Sequence, residues 1–168
     1  MDIRSVSIDL SREATGVSVV IDVLRAFTTA AYAFDRGAED IVLAAKVDEA
    51  LALKRRFSGS LIMGEVATLA TPEFDFGDSR AEIAEQNPAG HRLIHWTSNG
   101  TQGVHRSVNA AHLVATGFPT ALATAAYIRS LKPDSVTFVI IGLTDDGDSD
   151  EDQACARLNR RATGRRAA

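Results

Sequence analysis

The sequence predicts an α/β fold, a mostly parallel sheet covered by helices on both faces. Three observations carry that prediction. Short β-branched or aliphatic runs alternate with segments of helical period. Polar and glycine residues cluster directly after those runs, where an open α/β sheet places its ligands. The chain of 168 residues, 45% hydrophobic and 24% charged, suits one ordinary soluble domain with a substantial core. No low-complexity linker or internal repeat divides it, so a single domain over 1–168 is expected.

The first clear strand is the run Val19-Val20-Ile21, and it ends at Asp22. Alanine and aromatic residues over 26–34 then read as a helix, stopped by Gly37. A short strand at 40–45 follows. The helix after it, from Val47 to Phe57, has Asp48 near its start and Lys54-Arg55-Arg56 near its end, matching the helix dipole. Leu61-Ile62-Met63 forms a third run, and 66–79 is a long stretch without clear period, the kind of loop that is often functional. A short helix at 80–86, a turn at 87–90 and a strand at 92–97 come next. The turn at Ser98-Asn99-Gly100-Thr101 opens a helix expected to reach Ala111. The remaining elements are a strand at 112–116, a helix at 120–131 with Pro119 at its first position, a strong strand at 135–141, an acidic loop at 142–149 and a helix at 150–161.

Composition excludes several function classes. No apolar run reaches membrane-spanning length and no leader-like segment opens the chain, so a cytoplasmic location without membrane contact is expected. The one cysteine, Cys155, rules out an internal disulfide and a multi-cysteine metal site. From Arg157 onward there are five arginines and no acids, so the residues before it carry −9 of a net −4. An acidic body argues against nucleic acid as partner. It also makes phosphate binding difficult unless a divalent cation intervenes, for which Mg2+ is the economical choice. The basic tail, 157–168, is expected to be a solvated, disordered end.

Five polar clusters stand at strand ends: Asp22/Arg25/Thr28/Thr29, Gly64-Glu65, Phe74-Asp75-Phe76-Gly77-Asp78-Ser79, Thr97-Ser98-Asn99-Gly100-Thr101 and Asp150-Glu151-Asp152. In a parallel sheet they share one edge. The hydroxyl- and glycine-rich turn would offer amides to an anion, and the carboxylates would suit magnesium and a phosphate ester. Each has a plainer reading as well. Asp22 can cap the next helix, Asn99-Gly100 is a turn pair, Asp75 and Asp78 can satisfy amides in their own loop, and 145–152 can be a solvated acidic loop. Sharper motifs fail. The alternating aspartates from Asp146 lack the glycine and glutamate of a calcium loop, and the Cys155–Arg161 spacing lacks a glycine cradle. Of the histidines, His95 reads as packed in its strand, and only His105 remains as a proton donor.

Taken together and in order, these clusters resemble the 2-phosphosulfolactate phosphatases, over about 17–155. The resemblance implies a three-layer α/β/α sandwich and Mg2+-dependent hydrolysis of the phosphate ester of a small 2-hydroxy acid, on a route to coenzyme M. On that reading Asp22, Glu65, Asp75 and Asp152 are candidates for metal coordination, with Asp22 alternatively the nucleophile. Asp22, Arg25, Asp75 and Asn99 would be catalytic. Arg25, Thr28, Thr29, Ser79, Thr97, Ser98, Asn99, Gly100 and Thr101 would bind substrate. Two departures stand out. Asp78 and Arg80 fall where the family usually has asparagine and proline, and members usually continue beyond the 150–152 helix. A final segment outside this chain would cover part of the sheet or an oligomer interface, and an exposed edge would favour homo-oligomers. The alternative is a non-catalytic anion-binding module related to the enzyme.

Overall fold

The computed structural model describes residues 1–66, 71–144 and 147–164. Part of the long 66–79 loop, Asp146 and the last four residues of the basic tail fall outside the described residues. In chain order the elements are β1 (Asp2–Ser7), β2 (Val17–Ile21), α1 (Ala26–Asp35), β3 (Asp40–Leu43), α2 (Val47–Arg56), β4 (Leu61–Gly64), α3 (Arg80–Gln86), β5 (Arg92–Trp96), α4 (Gly100–Arg106), β6 (His112–Thr116), α5 (Ala121–Leu131), β7 (Ser135–Ile140), the small strands β8 (Leu143–Thr144) and β9 (Gly147–Asp148), and α6 (Asp150–Gly164). Short 3₁₀ turns follow β1 and precede α5. The α/β class expected from the sequence is what forms, with one difference. The longer strands divide into two parallel sheets, ordered β1-β7-β2-β6 and β3-β5-β4.

Strand β2 is central to the first sheet, and its side chains are buried on both faces. Val17, Val19 and Ile21 join Val136, Phe138 and Ile140 against Ala121 and Ile128 of α5 and Cys155 and Ala156 of α6. Val20 and Val139 point the other way, onto Ala26 and Phe27 of α1 and Val104 of α4. This sheet is therefore the middle of three layers. Gly103 lets α4 approach closely, since a Cβ there would lie 2.9 Å from Val20 Cγ1.

The second sheet repeats the arrangement on a smaller scale. Met63 and Leu93 pack with Ala33 of α1 and Ile83 of α3, and Ile62 and Ile94 pack with Ala50 of α2. Helix α1 thus serves both sheets, its first turn in the core of one and its later turns in the core of the other.

Three expectations need correction. Helix α4 stops at Arg106, well before Ala111, where Ser107 caps it by donating to the Gly103 carbonyl at 2.8 Å. The acidic loop contains the antiparallel pair β8–β9. The arginine-rich tail is ordered through Gly164 as the second half of α6. Asn159 and Thr163 are buried there, and Arg129 Nη1 donates to the Ala162 carbonyl at 2.6 Å. The arginines follow a helical face rather than a free strand of charge.

Candidate active site

The carboxyl ends of β2, β4 and β5 bring Asp22, Glu65 and Thr97 to the junction of the two sheets. There they line a cavity of about 370 Å³ with Leu24, Arg25, Asp78 and Asn99. Asp22 is 7% exposed, and its Oδ1 accepts the Ala26 amide at 3.2 Å, so it does cap the start of α1. Capping is not its whole situation. Burial, then the charges of Asp152, Asp78 and Glu65, push its carboxyl from 3.8 up to about 7. Gly100 makes room for it, because a Cβ there would overlap the Asp22 carboxylate and lie 2.7 Å from the Ala26 methyl. The Leu24–Arg25 peptide that follows is cis.

Arg25 is exposed in the cleft. Among the described residues it forms no ion pair, and neither does Arg80. Arg25 and Leu24 also line a second cavity of about 370 Å³, which adds Thr28, Thr29, Ser79 and Arg80. Four of the predicted substrate-binding residues thus stand together beside the carboxylates.

Other predicted residues hold the site instead of facing it. Asp152, expected as a metal ligand, accepts the Val23 amide at 2.7 Å on Oδ1 and the Gly142 amide at 3.0 Å on Oδ2. It stands behind Asp22, does not line the cavity, and its own carboxyl is raised chiefly by burial. Asp75, expected as ligand and catalyst, is turned away. It pairs with Lys54 Nζ at 2.6 Å and accepts the Ile62 amide at 2.7 Å, held there by the buried Phe74 and Phe76 on either side. The nearby acid that enters the cavity is Asp78, 3% exposed, with its Oδ1 3.3 Å from the fully buried His95 Nε2. The sequence placed Asp78 in the 74–79 cluster and marked it as an added carboxylate, without counting it among the candidate ligands.

In the 97–101 turn three of the five backbone amides are already engaged. The Thr97 amide donates to Thr101 Oγ1 at 3.0 Å, the Thr101 amide to Thr97 Oγ1 at 3.1 Å, and the Ser98 amide to Glu65 Oε1 at 2.9 Å. These donors fix the turn and Glu65, leaving Asn99 as its exposed contribution to the cavity. His105, kept as a proton donor, lies with Nε2 3.2 Å from the Leu43 carbonyl and does not line the cavity.

Three carboxylates around one cleft, one of them held near neutral pH, are a donor set suited to a hard cation. Among the described residues no group of three or more acids, histidines or cysteines stands at ready-made ligand spacing. The three carboxylates line one cavity without forming an all-protein cage.

Comparison with known proteins decides the family. The family model for 2-phosphosulpholactate phosphatase matches residues 5–162. The chain belongs to the 2-phosphosulfolactate phosphatase family. It is 38% identical over 140 residues to a probable 2-phosphosulfolactate phosphatase of Bacillus subtilis (strain 168), covering 83% of this chain and 60% of that protein. It is 40% identical over 118 residues to a protein of the same description from Carboxydothermus hydrogenoformans, covering 70% and 49%. For the one from Thermus thermophilus the identity is 33% over 127 residues, covering 75% and 53%. The chain spans half to three-fifths of the length of these family members. Among the described residues no helix is long and apolar enough to cross a membrane.

Proposed function

We propose that the cleft hydrolyses the phosphate ester of a small 2-hydroxy acid of the 2-phosphosulfolactate class, releasing the free acid and phosphate with the help of Mg2+. The observation that carries the reading is the pairing, in one cavity, of Asp22, Glu65 and Asp78 with the unpaired Arg25. Carboxylates alone would repel a phosphate dianion, and a guanidinium alone would bind it without activating it.

Asp22 and Asp78 are the residues that would hold the ion, with Glu65 beside them. When bound, Mg2+ would neutralise phosphoryl charge and orient the attacking oxygen. Arg25 supplies the matching charge on the other side, where negative charge on the phosphoryl oxygens must be stabilised through the transition state. The ester P–O bond breaks, an oxygen from water ends on phosphorus, and a proton from that water ends on the released hydroxyl. Asp22 either directs the water or first takes the phosphoryl group itself. Asp152 acts at one remove by fixing the Val23 amide, and so the backbone that aims Asp22 and Arg25.

A cytoplasmic location and a place in coenzyme M formation belong to the same proposal, supported by the family. So does homo-oligomerisation, for which the support is the edge position of β6 and its exposed His112, Leu113 and Ala115. The test is phosphate release from 2-phosphosulfolactate and 2-phospholactate with magnesium or with chelator. Magnesium-dependent release that disappears in Asp22→Asn supports the enzyme. A folded protein that binds these compounds and releases nothing identifies the non-catalytic module instead. Trapping a labelled phosphoenzyme after one turnover separates attack by Asp22 from attack by water.

A further inference from the structure

Helix α6 covers the first sheet with Asp152, Cys155, Ala156, Asn159 and Thr163, and turns its other side to solvent. The charges on that outer side are segregated. Asp150 and Glu151 lie in the first turn, whereas Arg157, Arg160 and Arg161 occupy the second half. Among the described residues none of these five forms an ion pair. Acids at the start and an arginine at the end do suit the helix dipole. The dipole does not account for Leu158, which lies between the two charged groups and is 37% exposed. Helix α5 packs on the same face of the sheet, and its Leu122 is 66% exposed in the same outer layer. Glu151, Ala154, Leu158 and Arg161 follow one another at steps of three, four and three residues, so they form one stripe along the helix.

We propose that this stripe is the seam of a symmetric dimer, in which α6 packs antiparallel against α6 of a second copy of the chain. The stripe is its own complement when turned end for end about position 156. Glu151 then meets Arg161 of the second copy, and Ala154 meets Leu158, a small side chain facing a large one. Each contact occurs twice, as a two-fold axis requires. A parallel alignment would set acid against acid and arginine against arginine. Nucleic acid or an anionic membrane would be drawn to the arginines and repelled by the acids of the same stripe, so a second copy fits better. The proposal rests on the homo-oligomer reading above, to which it gives a surface and a symmetry, and it is independent of the phosphatase reading. Asp152 accepts the Val23 amide from the buried side of the same helix, so one element serves both the seam and the catalytic connection.

Light scattering over a dilution series tests it, with charge reversal as the probe. The natural chain should be dimeric when concentrated and dissociate on dilution, and added salt should promote dissociation. Glu151→Arg and Arg161→Glu should each weaken the dimer roughly tenfold or more, because one reversal places like charges together at two symmetric contacts. The double variant Glu151→Arg/Arg161→Glu should recover the dimer, since it exchanges the partners without removing the pair. Neither position is buried, so the variants keep the core, and thermal melts in dilute solution confirm that each is folded. Leu113→Lys, on the exposed β6 edge, should leave the dimer unchanged. A dimer indifferent to both single reversals overturns the α6 seam. If Leu113→Lys dissociates that dimer, the homo-oligomer reading survives on the β6 edge. Single reversals that weaken the dimer without rescue by the double variant overturn the antiparallel register. A chain that stays monomeric at every concentration overturns the seam and the homo-oligomer reading together, and leaves the phosphatase reading to its own assay.

Discussion

Replacing Asp22 by asparagine should make the protein more stable while removing its activity. The carboxyl is held at about 7 against 3.8 in the unfolded chain, so the native state binds its proton more tightly. Stability therefore falls as pH rises between those two values, the reverse of a salt-bridged aspartate. At ~1.4 kcal/mol per pH unit the whole displacement is about 4 kcal/mol, of which about 2.5 falls between pH 5 and pH 8. Asparagine keeps an oxygen for the Ala26 amide and cannot ionise. The variant should thus gain about 1.5 kcal/mol over the natural protein at pH 5 and about 4 at pH 8. Urea unfolding in chelator, followed through the single Trp96, measures both. Millimolar magnesium at pH 8 should raise the natural protein's midpoint and leave the variant's where it was, because the ion stabilises only the form that binds it. A variant no more stable than the parent at pH 8, or a gain that does not grow with pH, would refute the repulsion argument.

Gly100→Ala should lower activity by more than tenfold and destabilise by about 1–3 kcal/mol, since the added methyl collides with the Asp22 carboxylate and the Ala26 methyl. Thermal melts alongside phosphate release will show whether both effects occur together, and activity at the parental level would mean that Asp22 is free to move. Asp152→Ala leaves the Val23 and Gly142 amides without their acceptor. At roughly 1–3 kcal/mol for each buried amide left unpaired, urea unfolding at pH 5 should show a loss of about 2–6 kcal/mol. That pH keeps Asp22 protonated, so relief of its repulsion does not mask the loss, and a change under 1 kcal/mol would remove Asp152 from the scaffold. Cys155 is fully buried, and burial followed by the charge of Asp152 pushes its thiol to about 11. It should resist thiol reagents at pH 8 until denaturant is added, and rapid labelling of the folded protein would contradict that placement.

Much of the fold was legible because its central strands are buried on both faces and therefore read as nearly continuous apolar runs. Val17–Ile21 and Ser135–Ile140 are the clearest examples. Strand β1 escaped notice for the opposite reason. It is an edge strand, Asp-Ile-Arg-Ser-Val-Ser, paired on one side with β7 and largely exposed, so the pairing register and not an apolar run defines it. The division into two sheets has no local signature at all. It follows from which strands find each other, as when β3 and β4 both pair with β5. Residues that follow a strand directly were placed well, because the end of a strand fixes where the next side chain emerges. Asp22 after β2, Glu65 after β4 and Thr97 after β5 all reach the cleft.

Loop residues were another matter. Asp75 and Asp78 are three positions apart in one loop and equally acidic, yet one is spent on Lys54 and the other enters the site. The choice is made by the flanking aromatics. Phe74 is buried in the cluster under α2 and Phe76 in the cluster under α1 and α3, so the backbone between them is pinned across the edge of β4. Asp75 is then directed to the Ile62 amide, and the chain reaches the cleft only at Asp78. Sequence spacing carries no record of that pinning. The same logic explains why the site falls where it does. Helix α1 packs its start into one core and its later turns into the other, so its first residues must lie at the junction of both sheets. A carboxylate one residue past β2 and an arginine just before α1 then meet Glu65 and Asp78 from the second sheet without any further device. The acidic and basic cavities share a wall because one short connection, from Asp22 to Arg25, has to serve both.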